Sequence, residues 1–267
     1  MNEAILGGIL AGGLPAAQVS ATVRRPERAA ELRERYDGLT VLAGNEDPDA
    51  NRTAAAGADV VILGVKPVGV AALLEEIAPV LKPGAVVISV AAAVSLEMLE
   101  AGLPAGQPVI RSMPNTPSRL GRGVVSLSAG TSAGEEEMAL AAEMLSSTGR
   151  VVQVPEEQVD AVSAVSGSGP AYAFYLAEAM ARAGVELGLD PELSAILARD
   201  TVAGAGYMLA EPGADATALR QAVSSPNGTT EAAIRSFDEQ GLPDVIARGA
   251  RAAAERAAEI TAELSAK

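Results

Sequence analysis

Two polar, glycine-bearing knots mark the last third of the chain: Ser166-Gly167-Ser168-Gly169-Pro170-Ala171-Tyr172 and Ser224-Ser225-Pro226-Asn227-Gly228-Thr229-Thr230. Each opens into a strongly helical pattern. The first turn of a helix carries backbone N–H groups without partners and partial positive charge, so it attracts anions. Glycine lets a ligand come close to the backbone, and Ser and Thr hydroxyls add donors that rotate to suit it. Helix capping accounts for one Ser or Thr at such a place. It does not require a run as polar as Ser224 to Thr230. The chemistry these residues fit is the holding of a small carboxylate.

Further candidates follow apolar strand-like runs in the first half. Arg24 and Arg25 stand after Gln18 to Val23, where a dinucleotide fold places the residue that reads the ribose 2′ position. Two arginines suit a 2′-phosphate through paired N–H donors, and an exposed basic pair at a helix start accounts for them equally well. Gly64-Val65-Lys66-Pro67 and Ala91-Ala92-Ala93 follow two further runs, and ligands of open α/β sheets bind at the carboxyl ends of strands. Small residues there let a flat ring lie against the backbone; a turn with a solvated Lys and ordinary helix filler are the plain alternatives. Arg111 to Pro117 is a polar segment with two prolines that reads as a rigid loop, either shaping a site or simply turning the chain.

Composition restricts the chemistry. The chain has 267 residues, no Cys and no His, so thiolate or imidazole nucleophiles, proton shuttles and metal ligands are ruled out, and no metal is expected. The hydrophobic fraction is 49% but the aromatic fraction only 2%, which predicts a core of Ala, Val, Leu and Ile. A net charge of −14 argues against nucleic acid or an anionic membrane as partner. With no evident signal peptide or spanning apolar run, a cytoplasmic enzyme is the expectation.

Helices are expected over Glu3 to Ala11, Pro26 to Tyr36, Val70 to Leu81, Leu96 to Ala101 and Glu135 to Leu145. Strands are expected at Gln18 to Val23, Val60 to Leu63, Ala85 to Val90, Val109-Ile110, Val124 to Leu127 and Val151 to Val154. The alternation predicts an α/β fold, a Rossmann-like doubly wound parallel sheet with helices on both faces. Beyond Pro155 the pattern is all helical: Pro170 to Leu187, a helix capped by Asp190-Pro191 and running to about Ala210, a short helix capped by Asp215, Thr230 to Phe237, and Pro243 to Leu264. The domains expected are 1–154, nucleotide-binding, and 155–267, helical, whose thin core implies a second subunit. A doubly wound domain starts with a strand and a glycine turn, whereas this sequence starts within the helix that follows them. The first, central strand is therefore expected to be missing, leaving the sheet split in two.

These residues together resemble the pyrroline-5-carboxylate reductases. Val223 to Thr230, continuing through Ala233-Ile234 to Phe237-Asp238, fits that family's signature. Asp160 to Tyr172, Arg111 to Pro117 and Val65-Lys66-Pro67 are three more family-like blocks, and the likeness extends from Met1 almost to the C-terminus. The resemblance implies NADPH-dependent reduction of the cyclic imine 1-pyrroline-5-carboxylate to L-proline, with NADH as a possible substitute. It implies a homodimer or a larger ring of dimers, with the substrate between nicotinamide and helical domain. By position, it assigns Arg24, Arg25, Asn51, Gly64, Val65, Lys66, Pro67, Val90, Ala91, Ala92 and Asn115 to the cofactor. Ser225, Gly228 and Thr229, with Ser168, fall to the substrate, and Thr230 to the ring nitrogen as the catalytic hydroxyl. It also implies that about ten residues, a strand and its turn, precede the position of Met1 in the family pattern, from which an upstream start is expected. Two other readings stay open: a related reductase of another imine or keto acid, and a non-catalytic dimer deficient in cofactor binding.

Overall fold

The computed structural model describes residues 2–266. They form two compact units, one running to Gly167 and taking in the residues from Ala254 onward, the other Ser168–Ala253.

The first unit alternates helices and strands. Helix α1 (Asn2–Ala11) is followed by β1 (Ser20–Val23), α2 (Pro26–Arg35), β2 (Thr40–Ala43), α3 (Ala50–Ala56), β3 (Val60–Leu63), α4 (Val70–Ile77), β4 (Val86–Ser89), α5 (Leu96–Ala101), β5 (Val109–Pro114), β6 (Gly123–Ala129), α6 (Glu135–Ser146), β7 (Gly149–Gln153) and α7 (Val159–Val162). Local chemistry explains several boundaries. Pro26 opens α2, where the missing N–H costs nothing. The Ser95 hydroxyl accepts from the Met98 N–H at 3.2 Å and starts α5. The Glu137 carboxylate accepts from the Gly134 N–H at 2.8 Å and starts α6. All four residues of β4 are buried, as befits a strand covered on both faces.

The sheet is divided as the sequence leads one to expect. Strands β1 and β2 form a parallel pair, and β3 to β7 form a separate five-stranded sheet in sequential order. An all-parallel sheet is, however, not what forms. β3, β4 and β5 are mutually parallel, but β6 runs antiparallel to β5, with Ser112 opposite Leu127 and Pro114 opposite Val125. The chain between them, Asn115 to Arg122, is too short for the crossover that parallel neighbours need. Residues 111 to 114, expected in a loop, are strand; only Asn115 onward turns, through the short helical turn Thr116–Leu120. Gln18 belongs to a turn rather than to β1, and β2 and α3 are additional to the expected elements.

Helix α1 joins the two sheets. Leu6 packs on the cluster of Ala29, Leu32, Leu39, Val41 and Ala43 around β1 and β2. Ile5 and Ile9 are buried with Val86, Ile88, Ile110, Val125 and Leu127 of the larger sheet. Gly8 allows this closeness: a Cβ there would lie 2.7 Å from the Thr148 methyl carbon. Glu3 of α1 pairs with both Arg28 and Arg35 of α2.

The second unit is made of α8 (Gly169–Glu186), α9 (Pro191–Leu209), α10 (Ala216–Ala222), α11 (Thr229–Glu239) and the first part of α12 (Leu242–Ser265). Asp190 accepts from the N–H groups of Glu192 at 2.9 Å and Leu193 at 3.2 Å, and Asp215 from that of Ala218 at 2.7 Å. Apart from Ser194 and Ala198, no residue of these helices is buried. Among the described residues no helix is long and apolar enough to cross a membrane.

Partial burial acts to raise the Glu3 pKa, but the hydrogen bonds and charges of Arg28 and then Arg35 outweigh it and hold the carboxyl below its ordinary 4.5. Because the folded value lies below the unfolded one, the stabilisation is fully present above the ordinary value and is lost as pH falls through the folded one. Glu3→Gln is therefore expected to lower the melting temperature near neutral pH by roughly 2–4 °C, with the difference from the parent vanishing in acid, as read from thermal scans across pH.

Candidate active site

Three of the candidate segments follow the carboxyl ends of strands in the first unit. Arg24 and Arg25 leave β1; both are exposed, and neither enters an ion pair among the described residues. The contrast with α2 is instructive, since Arg28 and Arg35 are taken by Glu3, and Arg33 donates to the Val41 carbonyl. Two guanidinium groups free of carboxylates at a strand end fit a phosphate dianion. Gly64-Val65-Lys66-Pro67 leaves β3. The Gly64 carbonyl accepts from the Asn2 side chain, so the first turn of α1 lies beside this strand end, while Lys66 is exposed. Val90-Ala91-Ala92 leaves β4 in a tight turn, with Ala91 buried and Ala92 exposed. Ala93, next in line, is left-handed at φ 60°, one of two non-glycine residues with positive φ among those described.

Asn51 in α3 donates to the Glu76 carboxylate at 3.1 Å. Asn115 is buried, and its amide is heavily used. Nδ2 donates to the Ser166 carbonyl at 3.0 Å and its hydroxyl oxygen at 3.2 Å, and Oδ1 accepts from the Val124 N–H at 2.9 Å. It thus ties the end of β5 and the start of β6 to the π-helical turn Ser163–Gly167, a geometry frequent at functional sites.

The second knot lies wholly in the second unit. Asn227 is the other left-handed residue, at φ 59°, and its N–H donates to the Glu231 carboxylate at 2.7 Å. The Gly228 N–H donates to the Ser225 carbonyl at 2.9 Å. A Cβ on Gly228 would stand 2.5 Å from Ser225 Oγ and 2.9 Å from Ser225 O, so only glycine fits. Gly228 caps α11 without any side-chain hydrogen bond. The first turn of the helix, Thr229-Thr230-Glu231, is thus left to receive an anion, beside the hydroxyl of Ser225 and those of both threonines. Glu231 was not among the expected site residues. Its place three residues after the helix cap is a readable signal, that of a capping-box glutamate, although here it accepts from the Asn227 N–H, one residue before the cap. Ser168 stands at the start of α8, likewise with no side-chain cap.

The sequence of residues 156–260 matches the model of the pyrroline-5-carboxylate reductase dimerisation domain, and that of 1–93 the NADP oxidoreductase, coenzyme F420-dependent. Pyrroline-5-carboxylate reductase of Pseudomonas aeruginosa is 39% identical over 99% of this chain and 94% of its own length. That of Corynebacterium melassecola is 39% identical over 97% and 95%. The solved structure of a pyrroline-5-carboxylate reductase from Coxiella burnetii superposes with a TM-score of 0.90 at 33% identity, covering 97% of this chain and 94% of that one. A pyrroline carboxylate reductase of Plasmodium falciparum, solved with NADP bound, shares the fold at a TM-score of 0.79 and 22% identity, over 97% and 94% of the two chains.

Asn115→Ala would leave the Val124 N–H and the Ser166 carbonyl, both half-buried, without this partner. It is expected to cost about 2–3 kcal/mol of stability, measured by denaturant unfolding, with Asn115→Asp retaining only the Val124 bond and falling between.

Proposed function

The chain belongs to the pyrroline-5-carboxylate reductase family, and we propose that the loop Ser225 to Thr229 holds the substrate carboxylate while Thr230 serves its ring nitrogen. The activity is the NADPH-dependent reduction of 1-pyrroline-5-carboxylate to L-proline, in an enzyme that works as a homo-oligomer. The observation that supports the substrate assignment best is the glycine at 228. The chain accepts the backbone of Ser225 against it, and leaves the first turn of an eleven-residue helix without a side-chain cap.

NADPH, when bound, supplies the hydride that reaches the imine carbon. The chain's own residues bind, orient and manage one proton. N–H groups of the first turn of α11 and the hydroxyls of Ser225 and Thr229 neutralise and align the carboxylate, and Ser168 contributes a further hydroxyl. The Thr230 hydroxyl hydrogen-bonds the nitrogen and relays to it a proton from water, which reprotonates the hydroxyl, as the C=N bond becomes CH–NH. Nothing in this requires an imidazole or a thiol, and the chain has neither. On the cofactor side, Arg24 and Arg25 take the 2′-phosphate. The first turn of α1, beside Gly64, would hold the pyrophosphate, and Val65, Lys66 and Pro67 would hold the rest of the dinucleotide. The small loop Val90 to Ala92 receives the nicotinamide end. Asn51 adds a polar contact through an amide that already leans on Glu76. Asn115 acts on this site by holding the end of β5. The assembly we infer is a homodimer or a ring of dimers built through the helical unit.

The direct test is NADPH oxidation by the purified chain with pyrroline-5-carboxylate; a chain that turns over another imine or keto acid but not this one overturns the substrate assignment. Thr230→Ala should lower kcat by roughly 10–100-fold with NADPH affinity kept, and an unchanged rate removes Thr230 from the mechanism. Arg25→Ala should weaken NADPH by roughly tenfold or more and NADH little; equal losses defeat the 2′-phosphate assignment.

A further inference from the structure

The loop that leaves β4 is held in a conformation its own sequence disfavours. Ala93 is left-handed at φ 60°, a region where the Cβ of an L-residue crowds the following carbonyl. Ala91 and Val94 on either side of the turn are buried, at 5% and 1% exposure, so the ends are anchored while Ala92 and Ala93 bend between them. Where the chain leaves the turn, a single carboxylate oxygen meets it. Oε1 of Glu156, beyond the end of β7, accepts from the backbone N–H of Leu96 at 2.7 Å and from Arg111 Nη1 at 2.9 Å. Leu96 is the first residue of α5, immediately after the loop. Arg111 is buried in β5 directly opposite Ser89, the last residue of β4 and the last before the loop. One oxygen therefore ties the two ends of Val90 to Ser95 to each other, and Arg111 pairs with no other carboxylate among the described residues.

We propose that Glu156 is a positioning residue for cofactor binding: shared between Arg111 and the Leu96 N–H, it holds the Val90–Ser95 loop with Ala93 left-handed, the shape in which the loop receives the nicotinamide end of NADPH. The proposal rests on the assignment of Val90 to Ala92 to the cofactor made above. Without the clamp, Ala93 relaxes toward ordinary φ values and the binding-competent loop becomes a minor conformer. The apparent affinity falls in proportion to its population, by about tenfold for one left-handed alanine. Glycine at 93 carries no such penalty. Ala93→Gly should therefore restore the affinity that loss of the clamp removes, which a general weakening of the fold would not allow.

The test is equilibrium binding, followed by NADPH fluorescence in a protein without tryptophan, and by calorimetry for adenosine 2′,5′-bisphosphate, which lacks the nicotinamide half. Glu156→Ala is expected to weaken NADPH about tenfold, to leave the bisphosphate within about twofold, and to recover in the Glu156→Ala, Ala93→Gly double variant. Glu156→Asp, too short to serve both donors, should show a smaller loss with the same recovery, and stands in should the alanine variant not fold. Equal weakening of both ligands with a lowered melting temperature, or no recovery by Ala93→Gly, would show a merely structural ion pair and overturn the proposal. Ala92→Leu separates the two readings. If it weakens NADPH while Glu156→Ala does not, the clamp is wrong and the loop assignment stands. If it leaves NADPH unaffected, the loop assignment fails and the clamp's role falls with it.

Discussion

The packing of α1 is the constraint on which the first unit depends. Its two sheets share no ladder of backbone hydrogen bonds, so their relation is set by what lies across them. Leu6 is seated on one cluster and Ile5 and Ile9 on the other. Side chains fill a space with less directional restraint than a hydrogen-bonded strand would give, and the polar contacts of the same helix add what packing lacks. Glu3 reaches Arg28 and Arg35, and Asn2 reaches the Gly64 carbonyl at the end of β3. The interior glycine Gly8, which by propensity costs a helix about 1 kcal/mol, is tolerated because it brings the backbone against Thr148. The same helix thus joins the sheets and presents its first turn at the strand end where the dinucleotide is expected.

A chain without histidine or cysteine places its chemistry in geometry. The loops that matter are each fixed by one side chain acting on backbone. Asn115 holds Val124 and Ser166, Glu231 holds Asn227, and Glu156 holds Leu96. Two of these loops contain the left-handed non-glycine residues, Ala93 and Asn227. Such conformations persist where surrounding contacts over-determine them; Glu231 bonds the Asn227 N–H directly, and Glu156 is the group we propose holds the loop of Ala93 from its far end. Since the hydride step draws on the cofactor, what the protein must add is orientation and a proton, and rigid loops with hydroxyls supply both.

The sequence carried much of this openly, and where it did not the reasons are physical. β4 was legible because a continuous apolar run points to a strand covered on both faces. α9 and α10 announced themselves through Asp190-Pro191 and Asp215. β2 escaped because four residues, Thr40 to Ala43, give too short a pattern, and α3 because Asn51-Arg52-Thr53 followed by alanines shows no apolar stripe. Arg111 to Pro114 read as loop for its polar and prolyl content. The polarity of Arg111 has a structural use, since it meets Glu156. The reversal of β6 was available in principle from the short stretch Asn115 to Arg122. The knot at Ser224 to Thr230 stands out in the sequence by its polarity, but the exclusion of any side chain at 228 is a fact of three-dimensional packing.

The helical unit shows why assembly belongs with the chemistry. Its helices bury little: Gly184 lets α8 approach α9, where a Cβ would stand 2.8 Å from Ser194 Oγ, and beyond Ser194 and Ala198 the side chains retain exposure. Phe174, Tyr175, Leu197, Met208 and Ile246 are exposed large apolar groups on α8, α9 and α12. Isolated exposed apolar residues are ordinary, but so many on one small unit are not. A unit with this little core gains its stability where copies meet, as its match to a dimerisation domain requires. Folding of the unit is then linked to association by mass action. The cradle we propose at Gly228 lies in that unit, so association of copies would support its shape alongside its own hydrogen bonds.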